Sequence, residues 1–211
     1  MLRVLTSNLY NGGADPSGYA RLLERVDPDV VAAQELSSDL AEVIGSRFDH
    51  GLLAPADDFK GMGLASRHPI EVARVPLPHR DALVGSNGIT IWCVHLANPV
   101  DRPPPIRARR QQVRRITDEI AATDGPTLLV GDLNATPLWP AYRRLRTQLD
   151  DGVADWARRN GRRPSRTWGL RPWWPAVLRI DHALVRGLVV LNTFTVRVPG
   201  SDHRALVVDV A

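Results

Sequence analysis

Six places in this sequence bring an apolar run to an end on side chains able to hold a cation or an anion. Leu2 to Leu5 lead, past Thr6 and Ser7, to Asn8; Val30 to Ala33 run into Gln34 and Glu35; Ile91 to Val94 end on His95. Leu128 to Val130 pass through Gly131 to Asp132 and Asn134, Val177 to Ile180 run into Asp181 and His182, and Ser201, Asp202 and His203 precede the run Ala205 to Val208. A hard cation such as Mg2+ takes carboxylate and amide oxygens, while imidazole and amide groups serve phosphoryl oxygens. Taken alone, such an ending reads better as a strand leading into an Asx turn. Six of them in 211 residues point to one polar site.

The elements that must position these groups follow from periodicity and punctuation. A first strand is predicted over Leu2 to Asn8, then a glycine-rich loop, Asn11 to Gly13, and a helix to about Val26 with Asp15 as N-cap and Pro16 as its first residue. A buried strand, Asp29 to Glu35, and a helix from about Ser37 to Ser46 come next, so Asn8 and Glu35 leave adjacent strands at the same end. An unpaired carboxylate after four apolar residues would be costly. Gly61 to Ser66 reads as a strand, and SRHPI turns the chain into another; His50, His68 and His79 are read as surface or loop residues. Arg80 to Val84 and Ile89 to His95 form a hairpin around the Asn87–Gly88 turn signal.

Pro103 to Pro105 lead into a helix of about Ile106 to Ala122. Its stretch RARRQQVRR, Arg107 to Arg115, is read as the solvated side of a helix that buries Ile106, Val113, Ile116 and Ile120. In the following strand, side chains two apart share a face, which sets Asp132 beside Asn134. A helix from about Trp139 to Leu149, an arginine-rich segment from Asp150 to Arg163 and a hairpin, Arg179 to Arg186 with Leu188 to Val198, complete the chain. Between them Thr167 to Pro175, TWGLRPWWP, holds three of the six tryptophans and reads as a loop; Trp173 and Trp174 suit capping a substrate, stacking on bases, meeting a lipid interface or covering a sheet edge. The alternation of strands and helices indicates an α/β layered sandwich, and the length suits one domain spanning residues 1–211.

Composition narrows the function classes. Residues 1–60 hold 5 basic and 10 acidic side chains and the remainder 22 and 13, so the first part carries −5 and the rest +9. The basic part suits an anionic partner. Lys60 is the only lysine against 26 arginines, a bias that genomic base composition also produces. Cys93, the only cysteine, excludes an intramolecular disulfide and a cysteine-built metal site, and is expected as a buried thiol. The opening MLRVLTSNLY lacks the apolar run of a signal peptide, and the longest stretch free of charged residues, Ala82 to Val100, contains Gly85, Asn87, Gly88, His95 and Pro99. A cytoplasmic monomer without a transmembrane segment is expected, with secreted or membrane-peripheral placement open.

TSNLY at Thr6–Tyr10, QE at Gln34–Glu35, VHL at Val94–Leu96, GDLNATP at Gly131–Pro137, RIDH at Arg179–His182 and SDH at Ser201–His203 resemble, in order and spacing, the endonuclease/exonuclease/phosphatase superfamily. That group includes deoxyribonuclease I, exonuclease III, sphingomyelinases and inositol polyphosphate 5-phosphatases, and the resemblance spans residues 6 to 208. It implies a four-layer sandwich of two packed, mostly antiparallel sheets flanked by helices, with the site at one rim. It further implies Glu35 as the main ligand of Mg2+, or of Mn2+ in its place, with Asn8 and Asp202 assisting. His203 would activate water with Asp181 orienting it, Asn134 and His95 would donate to the phosphoryl oxygens, and Asp132 would orient the water or act as base. Arg80 matches a phosphate-contacting arginine and reads equally as a solvated strand end; Trp168 lies near the site, and His182 packs structurally. The expectation is a metal-dependent phosphodiesterase, a nuclease acting on DNA or RNA. A phosphatase or phospholipase C-type hydrolase of lipid or sugar phosphates is the alternative, and a non-catalytic anion-binding module a third reading.

Overall fold

The apolar runs become strands of two sheets. The computed structural model describes residues 1–101 and 105–211. One sheet holds β1 (Leu2–Asn8), β2 (Val30–Gln34), β3 (His50–Ala54), β4 (Met62–Ser66), β11 (Val190–Arg197) and β12 (Arg204–Val210), in the order β11-β12-β1-β2-β4-β3. The other holds β5 (Glu71–Val75), β6 (Ala82–Ser86), β7 (Thr90–His95), β8 (Thr127–Asp132), β9 (Asp150–Asp151) and β10 (Asp181–Arg186), in the order β5-β6-β7-β8-β10-β9. Each sheet has a single parallel pair at its centre, β1 with β2 and β7 with β8; the remaining pairs are antiparallel.

Helices α1 (Pro16–Val26) and α2 (Ser38–Gly45) cover the first sheet, packing Tyr19, Leu22 and Leu40 on Leu5, Val31 and Val207. Helices α3 (Ile106–Ala121) and α4 (Pro140–Leu145) cover the second, with Val113, Ile116 and Leu145 against Trp92, Leu129 and Leu184. Between the sheets Val4, Ala32, Ile91, Val130 and Val208 interlock, which makes four layers. Full burial of each valine or isoleucine among them contributes about 1.5–3 kcal/mol, so stacking rather than the polar rim holds the sheets together. At the start of α1, Asp15 Oδ2 accepts the Gly18 N–H at 2.7 Å, the cap its sequence position suggests. Gly131 lies at φ +136°, where a Cβ would sit 1.9 Å from Val94 O; only glycine lets β8 approach β7 before Asp132.

Several elements depart from the sequence reading. The helix expected over Trp139–Leu149 stops at Leu145, and the arginine-rich segment contains β9 and α5 (Gly152–Arg159), whose N-cap Asp151 accepts the Ala154 N–H at 2.9 Å. Helix α5 shows few apolar residues, because it buries only Gly152, Val153 and Ala157. His50 opens β3 rather than lying in a loop. The hairpin strand begins at Ala82, so Arg80 precedes it, and at 6% exposure Arg80 is no solvated strand end. Ile106 is exposed, and Arg109 takes its place on the buried stripe of α3. Of the proline run, Pro103 and Pro104 lie outside the described residues. No described helix is long and apolar enough to cross a membrane.

Candidate active site

Alternation along the strands decides which polar ends meet. Val4, Ala32, Cys93, Val130 and Ala183 point between the sheets, and Asn8, Gln34, His95, Asp132 and Asp181, an even number of residues away, point the same way. Strand pairing aligns them: Asn8 pairs with Gln34, and Asp132 with both His95 and Asp181. His182 falls on the opposite face, where its Nε2 donates to Ala135 O at 2.8 Å and its ring lies 4.9 Å from that of Tyr142.

Glu35 breaks the alternation. Counting along β2 would place it with Val31 and Ala33 under the helices, but it sits just past the strand at φ +55°. A left-handed non-glycine residue costs about 1–3 kcal/mol, and here it turns the carboxylate toward Asn8. The Asn8 Nδ2 donates to Glu35 Oε1 at 2.9 Å and to Asp132 Oδ2 at 3.1 Å, while its Oδ1 accepts the Tyr10 N–H at 2.9 Å. Asn134, at φ +45°, lies beyond the end of β8, and its N–H donates to Asp132 Oδ1 at 2.7 Å. Its Nδ2 is 3.0 Å from Leu96 O and 3.3 Å from His95 Nε2. The Asx turn and the polar site are therefore one feature.

The last ending closes the rim. Ser201 Oγ donates to Asn8 O at 2.8 Å and accepts the His203 N–H at 3.0 Å, linking β12 to β1. His203 Nδ1 lies 2.9 Å from Asp181 Oδ2, and its Nε2 is 3.9 Å from Asp132 Oδ2 and 4.0 Å from Asp202 Oδ1. Thr167 Oγ1 accepts the N–H groups of Ile180 and Asp181 at 3.2 and 3.1 Å, and the Trp168 indole N–H donates to Asp202 Oδ2 at 2.9 Å. Arg80 Nη1 donates to Phe59 O at 3.0 Å and stands 2.7 Å from His95 Nε2. Asn8, Glu35, Arg80, His95, Asp132, Asn134, Trp168, Asp202 and His203 all line one cleft of about 530 Å³, with Asp181 behind His203. All ten residues singled out from the sequence are thus brought together.

Burial dominates the electrostatics. It raises the Glu35 pKa against the Asn8 hydrogen bond and the charges of His203 and Arg80, and it raises that of Asp132 against His203, with the charge of Asp181 adding to the rise. Burial and then Arg80 hold His95 well below the usual imidazole range, so its ring is neutral at pH 7. For His203 burial opposes the charged form, but Asp181, by charge and hydrogen bond, with Asp132 and Asp202 outweighs it and pushes the pKa up to about 10. Glu35 Oε2, Asp181 Oδ1 and Asp202 Oδ1 are buried and accept no hydrogen bond from the described residues. Orphaned carboxylate oxygens are costly, and they suit a divalent cation. Asp132, Asp181 and His203 also offer ligand atoms within 4.8 Å of one another. Within that group Asp181 Oδ2 is already engaged by His203 Nδ1, and its Oδ1 is the oxygen left over.

A profile of the Endonuclease/Exonuclease/phosphatase family matches residues 5–203. The chain belongs to this family. It is a hydrolytic phosphoesterase, with a buried acidic and histidine cluster compatible with a metal site. No curated protein sequence matches it significantly. Among solved structures, an endonuclease/exonuclease/phosphatase of Beutenbergia cavernae is 22% identical with a TM-score of 0.72, over 99% of this chain and 71% of that one. A humanized D. rerio TDP2 is 18% identical with a TM-score of 0.76, over 100% and 98% of the two chains. The 3' phosphatase NExo from Neisseria, bound to a product DNA hairpin, is 18% identical with a TM-score of 0.75, over 100% of both. These likenesses bear on the fold.

This family member also uses residues that the sequence reading passed over. Arg109 is buried, donates to the carbonyls of Ala97, Leu133 and Asn134, and has its pKa pushed down to about 10 by burial. It braces the Asn134 turn from behind; its spacing of four and seven to Val113 and Ile116 was the available signal. Arg179 grips Asp151 through two bonds of 2.7 and 3.1 Å, anchoring the backbone just before Asp181. Phe59, Lys60 and His79 line the cleft mouth with nothing in their local sequence to mark them, and Tyr10, which ends TSNLY, lines it too.

Proposed function

We propose that this chain is a Mg2+-dependent phosphodiesterase that acts as a nuclease. The observation that carries the reading is the convergence of six strand ends on one cleft, with Glu35 Oε2 and Asp202 Oδ1 left without a hydrogen bond among the described residues beside the His203–Asp181 pair. Glu35 and Asp202 would hold the ion. Asn8 would join them by turning its Oδ1 inward, away from the Tyr10 N–H that it now accepts. A divalent cation held there supplies positive charge that offsets the carboxylates and polarises a phosphate oxygen.

Asp181 keeps the His203 Nδ1 proton directed at itself, which leaves Nε2 to take the proton of an attacking water once the surrounding negative charge is offset. Asp132, hydrogen-bonded by the Asn134 N–H and the Asn8 amide, orients that water. Asn134 Nδ2 and the neutral His95 ring donate to the developing charge on phosphorus-bound oxygens. Arg80, buried beside His95, binds a phosphate oxygen, and Trp168 fixes Asp202. Two of the structural neighbours were solved with DNA product, which supports nucleic acid as the substrate class. The exposed Trp173 and Trp174 favour a second reading, a lipid-borne phosphoester.

Plasmid DNA, single-stranded DNA, RNA, sphingomyelin and inositol phosphates, each assayed with Mg2+ and with EDTA, test the proposal. Mg2+-dependent cleavage of a nucleic acid is expected; cleavage of lipid or sugar phosphates alone replaces it with the second reading, and no turnover of any of them overturns both. In parallel, Glu35→Gln is expected to raise the Mg2+ concentration for half-maximal rate, and an unchanged titration removes Glu35 from the ligand set.

A further inference from the structure

The segment between α5 and β10 carries a surface that the cleft chemistry does not use. Its neck is pinned: the Thr167 and Trp168 N–H groups both donate to Leu178 O, at 2.8 and 3.0 Å, and those of Val177 and Leu178 donate to Trp168 O, at 2.7 and 3.1 Å. Beyond the neck the Trp174 N–H closes onto Arg171 O at 2.9 Å, and Arg197 Nη2 holds Pro172 O at 2.8 Å. From this braced frame Leu170, Trp173, Trp174 and Val177 face outward, Trp173 at 63% and Leu170 at 58% exposure. A fixed backbone that presents large apolar groups to solvent marks an interaction surface.

Along the chain this segment carries one sign of charge; the acid that lies against it, Asp202, is tied to the Trp168 indole at the neck. From Trp156 to Ile180 the sequence holds seven arginines and no aspartate or glutamate. Arg163, Arg166 and Arg171 are exposed and join no ion pair among the described residues. The Arg171 guanidinium lies 5.6 Å over the Trp173 ring.

We propose that this tip docks the protein on an anionic lipid bilayer. Tryptophan rings, apolar with one polar N–H, settle at the headgroup level of a membrane, and flanking arginines are drawn to its negative surface. Single-stranded nucleic acid fits the tip less well. Base stacking needs free ring faces, whereas Leu170 and Val177 have none and one face of Trp173 is covered by Arg171. The neck residues Trp168 and Leu178 line the cleft itself, so a docked bilayer lies beside the cleft mouth. The docking surface does not depend on which phosphoester is hydrolysed.

Sedimentation with vesicles of phosphatidylcholine, alone or with about 30% phosphatidylglycerol, tests this directly, together with the tryptophan emission of the bound protein. Binding is expected only to the anionic vesicles, with a blue-shifted emission, and is expected to weaken between about 0.1 and 0.5 M NaCl as screening increases. The double variant Leu170→Ser, Trp173→Ser is expected to lose at least about tenfold in vesicle affinity, since it removes the apolar contact. Both side chains lie outside the cleft, so turnover of a soluble nitrophenyl phosphodiester with Mg2+ is expected to stay within about twofold, which also reports that the variant folds. No binding to anionic vesicles, or equal binding by the variant, overturns the proposal. Loss of oligonucleotide binding in the variant without vesicle binding by the parent also overturns it and reassigns the tip to nucleic acid. The soluble ester reads the proposed hydrolysis separately, so failure of one leaves the other standing.

Discussion

Replacing Asp181 by asparagine removes one charge and keeps the shape. The side chain is completely buried, its Oδ2 faces His203 Nδ1 at 2.9 Å and its Oδ1 has no hydrogen-bond partner among the described residues. The pairing of Asp181 with Asp132 and the N–H bond to Thr167 Oγ1 belong to the backbone and survive the change. What disappears is the negative charge that, against burial, does most to hold the proton on His203. An amide can also turn its NH2 toward Nδ1, which moves the ring proton to Nε2 and blocks that atom as a base. A positioned general base contributes about 10²–10⁴-fold, which is about 2.7–5.4 kcal/mol of barrier. We therefore expect kcat on a soluble phosphodiester at saturating Mg2+ to fall by about a hundredfold to ten-thousandfold, with KM and the Mg2+ midpoint within about threefold. Loss of a neighbouring negative charge lowers the imidazole pKa, so the His203 limb of the pH–rate profile moves to lower pH. A variant that keeps its circular dichroism, its wild-type kcat within about threefold and an unshifted profile would refute the role assigned to this pair.

Three further outcomes are expected. Asn134→Ala removes an amide aimed at the reacting oxygens and should lower kcat by about a hundredfold while the melting temperature moves little; wild-type kcat in the same assay strikes Asn134 from the machinery. Because Glu35 and Asp202 each bury an oxygen without a hydrogen bond among the described residues, Mg2+ at about 100 times its Kd should stabilise the fold by about 2.7 kcal/mol, seen in calorimetry as several degrees in Tm. Most of that gain should vanish in Glu35→Gln, and identical melting in Mg2+ and EDTA counts against a cation at this rim. Away from the cleft, burial opposes ionised Asp151 but the Arg179 hydrogen bond and charge outweigh it, lowering its pKa from 3.8 to about 2. A depressed folded-state pKa contributes stability that is complete above the unfolded value and is lost as pH falls through the folded one, here between about 4 and 2. The shift is worth about 2 kcal/mol, so Asp151→Asn should be less stable by about that amount at pH 7 in urea unfolding and lose less on acidification; parallel acid limbs would contradict this.

Much of the site was legible because strand alternation is strict. Val4 to Asn8, Cys93 to His95 and Val130 to Asp132 keep one face along each strand, so a residue pattern of period two already states that these side chains share a side. His203 escapes that rule, since it shares the parity of Ala205 and Val207 under the helices, and so do two residues of left-handed backbone. Glu35 and Asn134 reach the cleft through left-handed backbone just past a strand end, a conformation that no local propensity of Glu predicts. Helix α5 was hidden by its own surface, since a short helix with few buried residues offers almost no periodic signal. Arg109 was visible at spacing four and seven from the apolar stripe of α3, but an arginine within an arginine run reads as solvated until its three carbonyl partners are seen.

The order of strands, the polar residue that ends each of them and the side to which most of those residues face follow from the amino-acid sequence, because alternation and burial are local properties of a chain. The meeting of Asn8 and Ser201, 193 residues apart, and of Asn8 and Asp132, 124 residues apart, does not. It comes from stacking two separately paired sheets with their central parallel pairs side by side, a choice made by the shared apolar layer of Val4, Ala32, Val130 and Val208. That layer brings four carboxylates to one rim, and three of them, Glu35, Asp181 and Asp202, keep an oxygen that accepts no hydrogen bond among the described residues. Their mutual distance exists only in the folded molecule.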